Sequence, residues 1–188
     1  FLSGIFENRY DNHTAYTCWL FIIYKWLLLE LKGGIVVLIE TKNFGTIDID
    51  ESLIYDFDGG ILGFEQLRKF TIVESDDENS PFLWLQSIEE PAISFIIMDV
   101  YKFMPDYNPL VFDDDLVSLG EITDDSLLIY NIVVVPTAVS KMSVNLKAPI
   151  VINMENKKGK QVIVKNEEYP IKYFFYEELK KKKENGGE

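Results

Sequence analysis

The sequence is almost without histidine and cysteine: one of each, His13 and Cys18, and neither type recurs from Leu38 onward. That scarcity excludes a good deal. The Ser-His-Asp and Cys-His arrangements cannot be assembled after Leu38, and the commonest general base at neutral pH is missing. Thiolate and imidazole metal sites are excluded with them. A single cysteine closes no internal disulfide, which fits a reducing compartment. Positive charge is also scarce through most of the chain. Residues 38–125 hold 21 Asp and Glu against 4 Lys and Arg. So acidic a stretch repels phosphates, so direct nucleic-acid binding is not expected; it either attracts basic protein surfaces or serves only to keep the protein soluble. Residues 126–176 reverse the balance, with 3 acids against 7 lysines, and the whole chain carries −13. Long apolar runs are absent too. The run 19–29 is short and interrupted by Lys25, whereas a membrane-spanning helix wants ~20 apolar residues.

Carboxylate and lysine chemistry remains. Asp113-Asp114-Asp115 with Asp124-Asp125 has the oxygen donors for a hard cation, but not the spacing of a calcium-binding loop, and reads more simply as a solvated helix start. Glu89-Glu90 would need a cleft between its carboxylates to act as an acid pair. Gly59-Gly60 with Gly63 lacks the lysine and spacing of a phosphate-binding loop. The lysines around Gly159 stand in a turn, where such side chains stay in water. No cofactor and no enzyme activity are expected. The alternatives carried are a carboxylate-based metal-binding hydrolase built near Asp113, and a membrane-anchored adaptor using the run 19–29.

What the sequence has in quantity is short apolar stretches punctuated by turns. The stretch 142–164 organises the rest. Met142, Val144 and Leu146 alternate with Ser143, Asn145 and Lys147, a strand with one buried face. A β-branched strand follows over 149–153, opening on Pro149. The turn 156–159 is expected to use a positive φ at Gly159, and 161–164 to return antiparallel. Earlier strands are expected at 46–50, 53–57, 69–74, 82–86, 93–100 and 127–135, with a turn at Gly45, a helical turn at 64–67 and buried rings in the loop 101–109. A short helix is expected within 112–120, capped by an Asp and stopped by Gly120. The pattern predicts an all-β, mostly antiparallel, small barrel-like single domain with one or two short helices.

The organisation expected is a body at 38–176 between two extras. Residues 177–188, four lysines among them, read as a disordered polar tail. Residues 1–37 read as a disordered apolar leader or as spurious translation from upstream. Lys32-Gly33-Gly34 would be encoded by purine-rich codons resembling a ribosome-binding site, and Leu38 by TTG, a permissible bacterial start.

Five motifs in order carry a resemblance: Gly60-Ile-Leu-Gly-Phe-Glu65, Pro81-Phe-Leu-Trp-Leu-Gln-Ser-Ile-Glu-Glu-Pro91, Pro105-Asp-Tyr107, Met142-Ser-Val-Asn-Leu-Lys-Ala-Pro-Ile-Val-Ile-Asn153 and Lys158-Gly-Lys-Gln-Val-Ile163. Each is weak alone, and the ordered set is specific. Over about 41–173 they resemble the FliW family of bacterial flagellar assembly factors. One departure is Asp99-Val100-Tyr101, where the family more often has Asp-Pro. The resemblance implies a non-catalytic, cytoplasmic protein with a small β-barrel-like fold. It further implies two partners: flagellin, and the RNA-binding translational regulator CsrA, whose repression of flagellin synthesis it would relieve. Contact residues are expected among the exposed positions of the motifs and of the loop between them: Glu65, Gln86, Phe103, Asp106, Tyr107 and Asn145.

Overall fold

The computed structural model of the chain describes residues 35–75, 77, 80–123 and 125–185. Both His13 and Cys18, the run 19–29 and Asp124 lie outside them. Eleven strands run in order: β1 Val36–Thr41, β2 Gly45–Asp50, β3 Ile54–Phe57, β4 Lys69–Glu74, β5 Phe82–Ser87, β6 Ser94–Met98, β7 Leu127–Val134, β8 Ser143–Val144, β9 Ile150–Asn153, β10 Lys158–Gln161 and β11 Tyr173–Phe174. The described residues also form two α-helices, α1 Asp113–Leu116 between β6 and β7 and α2 Tyr176–Asn185 after β11.

Seven strands close a barrel. The hydrogen-bonded order β7-β6-β5-β4-β3-β10-β9 returns on itself because β9 also pairs with β7, from Leu127 opposite Asn153 to Tyr130 opposite Ile150. All pairings are antiparallel except β10 with β3, where Gly159 lies opposite Phe57. This parallel seam explains the glycine. A Cβ at position 159 would overlap the Phe57 ring. Gly159 therefore serves close packing rather than a turn, and the positive φ belongs to Lys157, at 56°. With the turn completed at Lys157, the strand begins at Lys158, three residues ahead of the sequence expectation.

The alternation of side chains along β7 and β9 divides two cores. Tyr130, Ile150 and Ile152 join Tyr55, Phe57, Phe70, Leu85 and Ile97 inside the barrel. Leu127, Ile129, Val133 and Val151 face the other way, under a cover that includes Tyr101, Tyr107, Leu116, Leu119 and Phe175. Both faces of these strands are thus buried, which is why they read as continuous apolar runs. At ~25 cal/mol per Å² of apolar surface, this double burial is the main term holding the fold.

Several local expectations are corrected. Residues 64–67 form no helical turn: the amides of Phe64 and Leu67 bond the carbonyls of Ile61 and Phe64 in two successive tight turns. No Asp caps α1, whose N-cap residue is Phe112 without a side-chain hydrogen bond. Gly120 does end the segment, at φ 79°. The strand expected at Met142 shrinks to two residues, and Met142, Ser143, Val144 and Leu146 are all buried. The expected polar tail is helical through Asn185. Glu177 and Glu178 in its first turn match the positive end of the helix macrodipole, and Leu179 packs on the outer core. Finally, β1 begins at Val36, two residues before the expected boundary, and pairs in register with β2 from Val36 opposite Asp50 to Thr41 opposite Gly45.

Candidate functional site

The six expected contact residues have different fates, and most of the motifs prove to build turns. Gln86 was expected exposed and is fully buried. Its amide nitrogen donates to the carbonyls of Ser87, Pro91 and Ile93, at 2.9, 3.4 and 3.1 Å. Ser87 Oγ then accepts the amides of Glu89 and Glu90, and Glu89 accepts those of Arg68 and Lys69. The stretch from Gln86 to Pro91 is thus a turn held by its own side chains. Glu89 is bound up in it and not poised as an acid.

Tyr107 is buried, as expected of the rings in the loop 101–109, and so offers no exposed contact. Its hydroxyl donates to the carbonyl of Leu146 at 2.8 Å and accepts from Asn131 Nδ2 at 3.2 Å. Asn131 also donates to the carbonyl of Asn145, at 2.7 Å. Burial pushes the Tyr107 hydroxyl pKa far above the ordinary tyrosine value, so it stays protonated. Asn145, half-buried, turns its own carbonyl-type oxygen to the amides of Lys147 and Ala148. Asn153 does the same for Glu155 and Asn156. These are Asx turns, the local alternative to a longer strand: that of Asn145 accounts for the brevity of β8, and that of Asn153 ends β9.

Phe103 is half-buried and stacks on Phe175, with centroids 5.2 Å apart. Asp106 is exposed beside Tyr107. The structure therefore gathers Phe103, Asp106, Tyr107 and Asn145 at the outer core. Glu65 and Gln86 lie apart from them, in and near the turns after β3 and β5. Glu65 is exposed, and its carboxylate accepts the amide of Gly63 at 2.8 Å, which lowers its pKa.

Two sets of acids stand out among the many exposed ones. Asp56 and Asp115 are met by Lys158 and Lys160 of β10, at 2.7 and 3.0 Å, and Asp58 by Arg68 at 3.1 Å. Partly exposed pairs of this kind contribute ~0–1 kcal/mol each, so their effect is chiefly to neutralise the surface around β3 and β10. Among the described residues no three acids converge as a metal ion would require. The other set is on the β1–β2 hairpin and the turn it touches. Glu40, Asp48, Glu51, Glu89 and Glu90 are exposed there, with Asp50 partly so. The hairpin docks through the amide of Lys42 on the carbonyl of Pro91, Asn43 on Ser94, and Phe44 edge-on to Trp84 at 5.4 Å. Sequence reasoning found β2 but missed β1, because it divided the chain at Leu38, through the middle of that strand. The largely β-branched apolar run from Ile35 to Ile39 was the available signal.

Among the described residues no helix is long and apolar enough to cross a membrane. The profile of the family described as "FliW protein" matches residues 38–175. The flagellar assembly factor FliW of Thermoanaerobacter pseudethanolicus is 46% identical over 143 residues, covering 76% of this chain and 95% of the relative. That of Caldanaerobacter subterraneus subsp. tengcongensis is 45% identical over 143 residues, with the same shares of 76% and 95%. A crystal structure of the flagellar assembly factor FliW superposes with a TM-score of 0.67 at 33% identity, covering 73% of this chain and 96% of that one. The barrel, the order of the motifs and these matches agree: the chain belongs to the FliW family of flagellar assembly factors.

Proposed function

We propose that this protein is a non-catalytic, cytoplasmic binding protein that holds flagellin and, when flagellin is absent, antagonises the RNA-binding translational regulator CsrA. Flagellin translation would then follow flagellin secretion. Family membership supports the flagellar role. The observation carrying the choice of a regulator as partner is the charge distribution: 21 acids against 4 bases over residues 38–125. A protein that binds RNA presents a basic surface, and an acidic surface recognises it. Bound beside the regulator's RNA site, the same acids would repel RNA phosphates without filling that site.

The motifs around Gln86, Tyr107 and Asn145 act as scaffold in this reading. They hold turns and the outer core, and the partners touch what the turns display. The test is a calorimetric titration of the chain with the CsrA-type regulator of the same bacterium, repeated with flagellin present. Saturable binding that flagellin abolishes is the expected result. Binding to neither protein would remove the function while leaving the fold in place.

A further inference from the structure

The barrel buries its apolar side chains well, and the β1–β2 hairpin does not. It forms a separate two-stranded sheet whose outer edges pair with no other strand among the described residues. Its inner face is accounted for: Ile39, Thr41 and Ile49 are buried, and Val37 and Ile47 partly so. The register fixes the outer face. Val36 lies opposite Asp50, Leu38 opposite Asp48, and Glu40 opposite Thr46, and paired residues point to the same side. Leu38 is 70% exposed, Val36 59%, and the adjoining Ile35 67%.

Leu38 therefore stands in the middle row of this face beside Asp48, and Val36 at its end beside Asp50, an aliphatic strip along β1 with Glu40 beyond it and Glu51 after Asp50. No lysine or arginine occurs from Ile35 to Thr41 or from Gly45 to Glu51. Aliphatic side chains flanked by charged ones are the anatomy of a protein interface. The acids decide the occupant. A second copy of the same face would bring acid against acid, which is unfavourable when desolvated. A surface carrying an aliphatic residue between lysines or arginines would satisfy both parts.

We propose that the outer face of the β1–β2 hairpin, with Val36 and Leu38 flanked by Asp48, Asp50 and Glu40, is where the basic protein partner docks. This rests on the function proposed above and assigns it a surface. The motif residues Gln86, Tyr107 and Asn145 then have no direct part in that contact.

The test titrates the full chain and three variants, Leu38→Lys, Asp48→Lys and Val117→Lys, with the CsrA-type regulator, and follows the sedimentation of the chain alone. All three side chains are exposed, so the variants are expected to keep the circular dichroism spectrum and Tm of the parent. Leu38→Lys and Asp48→Lys are expected to raise Kd about tenfold or more. Val117→Lys, on the 3-10 turn after α1, is expected to leave it unchanged. Equal affinity for the parent and both hairpin variants would overturn the assignment alone. A parent dimer that Leu38→Lys converts to monomer would also overturn it, because the occupant would be a second copy. Failure of the parent to bind the regulator would overturn the regulator reading and this surface together.

Discussion

At the scale of single residues, Tyr107 shows how a motif position acts without touching a partner. Its hydroxyl joins the carbonyl of Leu146 to the side chain of Asn131 inside the outer core. Tyr107→Phe leaves both groups buried and short of a partner, at a cost of roughly 1–3 kcal/mol. Urea unfolding should show that loss, while partner affinity per folded molecule stays unchanged. The hydroxyl also sets a pH dependence. Its folded pKa is raised by burial, so the stabilisation is complete below the unfolded value of about 10 and lost as pH rises beyond it. Alkaline unfolding of Tyr107→Phe should lack that component. Glu65 has the opposite sign. The amide of Gly63 lowers its pKa, so its contribution is present above the ordinary glutamate value and lost as pH falls through the folded one. Carboxyl carbon chemical shifts followed by NMR should give a Glu65 midpoint below that of a free glutamate, with the Gly63 amide moving in step.

At the scale of elements, the parallel seam between β3 and β10 is the most exacting contact. Gly159→Ala would drive a methyl group into the ring of Phe57, in a position where neither strand can move without opening the barrel. A loss of about 2 kcal/mol or more is expected in thermal unfolding, partly recovered in combination with Phe57→Leu. The same contact marks the limit of sequence reading. Strands β4, β5 and β7 were legible within a residue or two because their apolar periods reflect burial set locally, between clear turn signals. The role of Gly159 was not legible, because its neighbour Phe57 is distant in sequence and a glycine after lysines is also a good turn. Nor was the interior position of Gln86: three carbonyls from its own turn accept from its amide nitrogen, and nothing in the residue type announces that. The tail was misread for a related reason. Its composition is that of a disordered segment, and Leu179, which packs on the outer core, supplies a tertiary contact that composition does not reveal.

At the scale of the whole molecule, the acidic excess is distributed unevenly by the fold. Lysines of β10 reach back to Asp56 and Asp115, which quiets the surface around the seam. The hairpin and the neighbouring turn keep Glu40, Asp48, Glu51, Glu89 and Glu90 exposed. A basic partner approaching in solution would therefore be drawn to exposed acids such as those of the hairpin more than to the neutralised seam. Steering of this kind acts on encounter and is screened over about 8 Å at physiological ionic strength. Stopped-flow association with the CsrA-type regulator should accordingly slow several-fold between low and high salt. Dissociation should change much less, because it depends on the short-range contacts at the aliphatic strip. Asp48→Asn and Glu40→Gln should each flatten the salt dependence of the association rate. Leu38→Thr should leave that slope alone and speed dissociation. Association rates that did not respond to salt would mean that the charge acts only to keep the protein in solution, and recognition would then rest on the aliphatic residues alone.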